Sequence, residues 1–329
     1  MERTAKLGVI ETEIAIKFIK DNFEKELAKA LNLIRVSAPL FVFPETGLND
    51  NLSGKERAVK FDVLSLNKEV EIVQSLAKWK RVALKEYGFT LGMGLYTDMN
   101  AIRRDEDNLD CLHSVYVDQW DWEKIISKEQ RKYSFLKKTV RNIYKAFTKV
   151  ASLVEKKYPE LKNEYPKEIT FVSTLELEKL YPNLTRKERE NAITKKYGAV
   201  FIYQIGNPLK DGMPHDSRAA DYDDWKLNGD ILIYDNVLGV AIEISSMGIR
   251  VDENSLVKQL KKKKELSKLE NSYCKAILNR ELPLTIGGGI GQSRVCMLLL
   301  KKRHIGEVQA SVWSDETINE MQKQGVRLL

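Results

Sequence analysis

Apolar residues recur every four positions near the start of the chain, at Ile10, Ile14 and Phe18 and again at Phe23, Leu27 and Leu31. That spacing predicts one long amphipathic helix over residues 10–31. The stretch LIRVSAPLFV that follows reads as extended, and Pro39 within it suits a sheet edge or an interface better than a central strand. A turn-rich loop, FPETGLNDNLSG, leads to two alternating runs, Val59/Phe61/Val63 and Val70/Ile72, each expected as a strand. SLAKWKRVALKEYG has helical character and a stop at Gly88. SVYVDQWDWE and AVFIYQIG read as strands, and TRKERENAITKKYG as a helix closed by Gly198. GDILIYDNVLGVAIEISSMGIRV carries two alternating apolar runs around a turn at residues 235–239, a hairpin signature. A lysine-rich stretch, residues 256–269, is expected to be helical. Strands joined by hairpins, with helices before and after, give an α+β fold with a mostly antiparallel sheet flanked by helices. With no internal repeat, low-complexity linker or composition shift, residues 1–329 are expected to form one domain.

Composition narrows the class. The chain has 329 residues, 43% hydrophobic and 31% charged, enough for a real core. It has no apolar run long enough to cross a bilayer and no signal-peptide core at its start, so a cytoplasmic, membrane-free protein is expected. Cys111, Cys274 and Cys296 are far apart and lack a CxxC or a neighbouring histidine pair, which argues against a disulfide framework and a zinc site. A net charge of +7 is small for this length. Its densest patch, the four lysines at 261–264, fits a solvated helix face or an anionic substrate.

Four glycines within five residues, in TIGGGIGQSRVCMLLL, feed a helix with Arg294 in its first turn. No lysine follows them until Lys301, which excludes a P-loop, and the spacing fails the dinucleotide fingerprint at Gln292 and Arg294. What remains is a glycine-rich strand end that delivers Arg294 near a helix N-terminus, where the backbone can approach a ligand and an arginine can grip a phosphate or stack on a purine. A glycine-rich turn with a surface arginine is an equal reading. In the strand HSVYVDQWDWE, alternation puts Gln119 and Asp121 on one face and Trp120 and Trp122 on the other. That suits a pocket wall, but taken alone it fits an ordinary half-exposed strand with a buried tryptophan face better. Asp230 and Glu243 flank the hairpin, where facing carboxylates can share a magnesium ion or stand as solvated strand-end acids. Glu243 and Ser245 share a face by strict alternation, and Ser246 needs a bulge to join Glu243.

Together these segments resemble the class II aminoacyl-tRNA synthetase catalytic fold. The long helix with Pro39 looks like its dimer-building first motif, the strands around Arg103 like the second, and GGGIGQSR like the third. More closely, the chain is similar to the ammonia-dependent aspartate–ammonia ligases (type A asparagine synthetases) over nearly its whole length. The blocks DNLSG, SLAKWKR, HSVYVDQWDWE, DYDDW, LNGDIL, SSMGIRVD and TIGGGIGQSR carry this in order.

The resemblance implies that aspartate, ammonia and ATP give asparagine, AMP and pyrophosphate through a β-aspartyl-adenylate, in a homodimer without nucleic acid. It implies that Arg103 grips the α-phosphate, Arg294 holds the nucleotide from the other side, and Gly289 and Gly291 line the nucleotide site. Asp230 and Glu243 would hold Mg2+. Lys80, or Lys78, would meet a substrate carboxylate, with Asp121, Asp223, Gln119 and Ser246 around the aspartate. Asp50 would hold ammonium and take its proton, although an aspartate in LNDNLSG is also an ordinary turn former. The chain departs from the family at Arg104, where a proline is usual, so Arg103 and Arg104 compete for the phosphate. DDWKLNGD is also shorter than the usual loop, which bears on how the lid near Asp223 closes.

Two rivals share the same residues, and a third enzyme type would need one more. An aspartyl- or asparaginyl-tRNA synthetase is expected to carry an anticodon-reading module ahead of this core, and only about ten residues precede the first helix. A glutamine-dependent synthetase needs an N-terminal cysteine, which Met1-Glu2 does not offer. A catalytically silent paralogue that binds amino acid or RNA is expected to lose the arginines or the acids, all of which are present.

Overall fold

The structure, a computed structural model, describes residues 7–50, 52, 56–106, 109–162 and 164–329. Asn51, Ser53 and Gly54 of the DNLSG block, and Asp107 after Arg103, lie outside the described residues. The framework is one eight-stranded sheet, in the order β1 (Leu33–Arg35), β5 (Gly94–Ile102), β6 (Tyr116–Ile125), β11 (Thr285–Gly291), β10 (Val240–Arg250), β9 (Asp223–Asp235), β8 (Ala199–Tyr203) and β7 (Thr170–Ser173). Only the edge pairs β1/β5 and β7/β8 are parallel, so the expected antiparallel α+β sheet holds. The predicted hairpin is β9–β10. The two alternating runs form β3 (Lys60–Val63) and β4 (Lys68–Ile72), which join β2 (Phe41–Val42) in a separate three-stranded sheet.

Each face of the main sheet buries a different set. On β6, Trp120 and Trp122 are fully buried against α1 (Val9–Leu31), with Trp120 stacked on Phe23 at 4.4 Å. α3 (Tyr133–Lys157) and α8 (Gln292–Leu299) contribute to that same core. The other face carries α2 (Ala77–Glu86), α4 (Thr174–Leu180), α5 (Arg186–Tyr197), α6 (Glu253–Lys263) and α7 (Ser272–Leu278), with smaller apolar clusters beneath them. A final helix, α9 (Asp315–Lys323), closes the chain. Among the described residues, no helix is long and apolar enough to cross a membrane.

Two expectations change in detail. In α1 the buried stripe is Thr12, Ala15, Ile16, Ile19, Phe23, Leu27 and Leu31, while Ile10 (76% exposed) and Ile14 (53%) point outward. The helix has a second apolar face, and the every-fourth spacing of Ile10 and Ile14 belongs to it. The lysine-rich helix stops at Lys263 instead of reaching residue 269. Lys264 enters the left-handed region at φ 60°, and the N–H groups of Lys264 and Glu265 fold back onto the carbonyls of Lys261 and Leu260, a Schellman closure.

Of the two readings of the glycine cluster, the strand end holds: Gly287, Gly288, Gly289 and Gly291 all lie in β11, none of them at positive φ. Their missing side chains make room. A Cβ at Gly287 would fall on the Glu123 carboxylate and within 2.7 Å of the Arg250 guanidinium, and one at Gly289 would fall on the Gln119 side chain. At Gly291 the nearest atoms are those of Arg294, 3.4 Å away. Gly287→Ala is therefore expected to cost about 1–3 kcal/mol in chemical denaturation. Gly291→Ala should cost much less, and equal losses would contradict the overlap.

Candidate active site

Above the glycine strand lies a cavity of about 600 Å³. Its floor is a network of buried charges. Lys80 Nζ donates to Asp121 Oδ1 at 2.5 Å and to the Gly288 carbonyl at 3.1 Å. Arg250 donates to both oxygens of Glu123 (2.9 Å to Oε1 and 2.7 Å to Oε2) and to Asp223 (2.5 Å). Burial pushes Lys80 down from its ordinary value, with Asp121 and Glu123 opposing. Burial pushes Asp223 up, against Arg250 pulling it down. For Glu123 burial acts upward too, but Arg250 and Lys80 outweigh it and hold the carboxyl below its usual range.

Ser246 reaches this face by the bulge that alternation required. The β9–β10 register slips between Glu243 and Ser245, which sets Ser246 opposite Asp230. Ile242, Ile244, Met247 and Ile249 then face the tryptophan core, and Glu243, Ser246, Gly248 and Arg250 fall on the pocket side.

Part of the cavity lining is cationic. Arg103, at the end of β5, has a buried Nε without a hydrogen-bond partner. Burial and the facing charge of Arg294 both lower its pKa. Arg294 is held by its Nη1 donating to the Glu243 carbonyl at 3.0 Å. Two guanidiniums that repel each other, one with an unused donor, make a place for an anion. The N-terminus of α8 is not that place. Asp118 accepts from the Ser293 N–H there (3.0 Å) and pairs with Lys20 (3.0 Å), so the protein's own carboxylate fills it.

Beside the arginines, Asp230 is buried, pairs through Oδ2 with Arg218 at 2.5 Å and is also stabilised by the Ser246 hydroxyl opposite it, while its buried Oδ1 lacks a well-formed hydrogen bond. Burial pushes Asp230 up, Arg218 opposes, and Glu243 adds repulsion. Two carboxylates, one with such an oxygen, fit a magnesium ion, a hard cation that takes oxygen ligands. No group of three or more His, Cys, Asp or Glu side chains suited to a metal occurs among the described residues, so substrate oxygens and water would have to complete the shell.

Asp50 lines the same cavity. It is 2% exposed, its Oδ2 has no hydrogen-bond partner, and burial pushes its carboxyl up to about 7.

Of the residues singled out in the sequence, Asp50, Lys80, Arg103, Gln119, Asp121 and Asp223 line this one cavity. So do Glu243, Ser246, Gly289, Gly291 and Arg294. Arg104 is exposed and outside it, which gives the cavity to Arg103. Lys78 is also outside, paired with Asp221 at 2.7 Å, which leaves Lys80 as the lysine in reach. Asp230 stands just behind the lining and meets the cavity through Arg218. The room left by Gly289 is filled by Gln119. Sequence reasoning missed Glu123, Arg218 and Arg250. The alternation that selected Gln119 and Asp121 extends to Glu123, and the bulge that admits Ser246 also brings in Arg250. Arg218 sits in an irregular segment with no periodicity to mark it.

A buried acid that keeps its proton costs stability once it must ionise. From about pH 4 to about pH 7 the folded chain retains the Asp50 proton that the unfolded chain has lost, so stability falls as pH rises through that window. Asp50→Asn should therefore gain on the parent with rising pH, reaching up to about 4 kcal/mol above pH 7. A gain that does not vary between pH 4 and 8 in chemical denaturation would refute this.

Comparison with known proteins agrees with the geometry. Residues 10–325 match the family model described as aspartate-ammonia ligase. The chain is 59% identical over 324 residues to an aspartate–ammonia ligase of Ruminiclostridium cellulolyticum, covering 98% of this chain and 96% of that one. It is 56% identical over 329 residues to one from Fusobacterium nucleatum, covering both completely. Among solved structures, asparaginyl-tRNA synthetase from Pyrococcus horikoshii, complexed with asparaginyl-adenylate, aligns with a TM-score of 0.69 at 16% identity, over 92% of this chain and 70% of that one. The Entamoeba histolytica asparaginyl-tRNA synthetase aligns with a TM-score of 0.65 at 15% identity, over 92% of this chain and 66% of that one. The chain thus spans about two thirds of the synthetase chains it matches, and shares their fold. Matched from end to end at more than half identity, it belongs to the aspartate–ammonia ligase family.

Proposed function

We propose that this cavity makes asparagine from aspartate, ammonia and ATP in two steps within a single catalytic domain. In the first, an oxygen of the aspartate side-chain carboxylate attacks the α-phosphorus of ATP and pyrophosphate leaves, giving a β-aspartyl-adenylate. In the second, ammonia attacks the activated carbonyl carbon, and AMP leaves as asparagine forms. Family membership supports the reaction class. The observation that carries the reading is Arg103, with its buried unpartnered Nε and its guanidinium opposed to Arg294, because that pair calls for a phosphate between them.

The roles follow from charge. Arg103 and Arg294 bind the α-phosphate and stabilise the charge that builds on it. Asp230 and Glu243 hold magnesium, which when bound neutralises phosphate charge. The floor suits a small zwitterion: Lys80 and Arg250 face its carboxylates, and Asp121, Glu123 and Asp223 face its amine. Gln119 and Ser246 border the reacting carbonyl. Asp50, buried with a pKa near neutrality, is matched to binding ammonium and accepting its proton.

A homodimer is part of this reading. Ile10, Ile14, Ile34, Leu40 and Phe41 are large apolar side chains left exposed on α1, β1 and the approach to β2. Light scattering at micromolar concentration should give the mass of two chains, and Ile14→Glu with Ile34→Glu should give that of one. A monomeric parent would defeat the proposal.

The reaction is tested by product analysis with aspartate, ATP and magnesium, with and without ammonium, and with tRNA in a parallel tube. AMP and asparagine should appear together only with ammonium. AMP that depends on tRNA would favour the synthetase rival, and no AMP in any tube would favour a silent binding protein. Arg103→Ala should lower kcat by roughly 100-fold or more. Arg104→Ala should leave it within a few-fold, and the reverse order would reassign the phosphate.

A further inference from the structure

The ligase reading gives no task to the buried ion pair of Lys78 and Asp221. Lys78 and Asp221 are 7% and 1% exposed, meet at 2.7 Å, and do not line the cavity. A desolvated pair costs about as much as it returns, and apolar side chains would fill the same space at equal or lower cost. Its charges, rather than its volume, call for an explanation.

Both charges of the pair act on Asp50. Asn49 fixes where Asp50 stands: its Oδ1 accepts from the N–H groups of Asp50 (3.0 Å) and Gln74 (2.8 Å), and its Nδ2 donates to the Ile72 carbonyl (3.1 Å). This pins the Asp50 peptide to the residues that lead into α2, whose first turn carries Lys78. Asp221 arrives from the other side, just before β9. After burial, the strongest influences on Asp50 are Lys78, which favours its negative charge, and Asp221, which opposes it. The other groups that face it are Lys268 from the segment Leu266–Glu270, Arg103 from the end of β5, and Tyr222 next to Asp221. Tyr273 of α7 lies under Lys78, with its ring centroid 5.9 Å from Nζ.

We infer that Lys78 and Asp221 are a built-in counter-charge for Asp50, an opposed cation and anion buried outside the cavity lining that fix how readily Asp50 carries the charge with which it holds ammonium and takes its proton. The logic is one of shared attraction. Lys78 alone would ionise Asp50 and also saturate it, so that a second cation gained little by binding. Asp221 holds Lys78 at 2.7 Å, and Asp50 keeps a buried, unpartnered Oδ2 available to a different cation. Lys78 and Asp221 touch neither substrate nor nucleotide, so they are positioning residues. The inference rests on the reading of Asp50 as the ammonium-binding base.

The test is the pH dependence of kcat/KM for ammonium, measured with saturating aspartate and ATP. The parent should show an acid limb near pH 7, set by Asp50. Asp221→Asn leaves Lys78 to act on Asp50 alone and should move the limb acidic by about one unit or more. Lys78→Met removes the attraction and should move it alkaline by a similar amount. Aspartate KM should stay within a few-fold in both, whereas Lys80→Ala should raise it. A merely structural role would slow both variants without moving the limb, or move both limbs the same way, and either result overturns the inference. So does a large rise in aspartate KM for Lys78→Met, which would place Lys78 at the substrate. If a single variant does not fold because it strands a buried charge, the double variant Lys78→Met/Asp221→Asn removes both charges. Its limb should move alkaline by less than that of Lys78→Met, because Lys78 acts on Asp50 more strongly than Asp221 does, and an unmoved limb overturns the inference. Asp50→Asn separates the two failures. If it keeps ammonium-dependent turnover, the reading of Asp50 falls. If it loses that turnover while the other variants keep the parent limb, only the inference falls.

Discussion

Charges buried on one face of a sheet must be balanced where they stand, and this constraint organises the molecule. Lys80 and Arg250 meet Asp121, Glu123 and Asp223 across a strand stripped of side chains. With a Cβ at Gly287, Glu123 and Arg250 could not lie where they do. Removing one member of such a network strands the rest without water, at a cost of about 3–5 kcal/mol. The network therefore depends on the glycines, and the glycines on the Trp120/Trp122 face, where α1 and α3 hold the sheet from behind. The floor is closed on itself, each of its charges paired within the network.

The cavity gathers opposite charges on one lining. Arg103 and Arg294 are facing cations, Lys80 and Arg250 stand in a balanced network, and Asp50 is a buried acid within the reach of Arg103. Asp118 fills the α8 N-terminus with the protein's own carboxylate, so that helix end is not open to another anion.

Much of this was legible because it is periodic. Alternation along HSVYVDQWDWE separated Gln119 and Asp121 from the tryptophans, and the same alternation showed that Ser246 needed a bulge, which the β9–β10 register supplies. The glycines were legible as a strand end, with a turn as the rival reading, since close approach and tight turning call for the same residue. What they make room for is Glu123, Arg250 and Gln119, which arrive from other strands. The outward face of α1 escaped because Ile10 and Ile14 fit an inward stripe as well as Ala15 and Ile16 do. Arg218 escaped because an irregular loop has no period from which a side chain's direction follows.

Lys78 and Lys80 mark the limit of local reading. Two residues apart on a helix, they point roughly 200° from each other, so helix geometry alone shows that they cannot share one cavity. It does not say which of them enters. That is decided by what α2 rests on: β6 and β11 under Lys80, Asp221 and Tyr273 beside Lys78. The difference in burial between the two is slight, at 7% and 1%, so exposure does not separate them either. Their partners do. Lys80 is bound to a carboxylate and a carbonyl that line the cavity, and Lys78 to Asp221, an acid outside that lining.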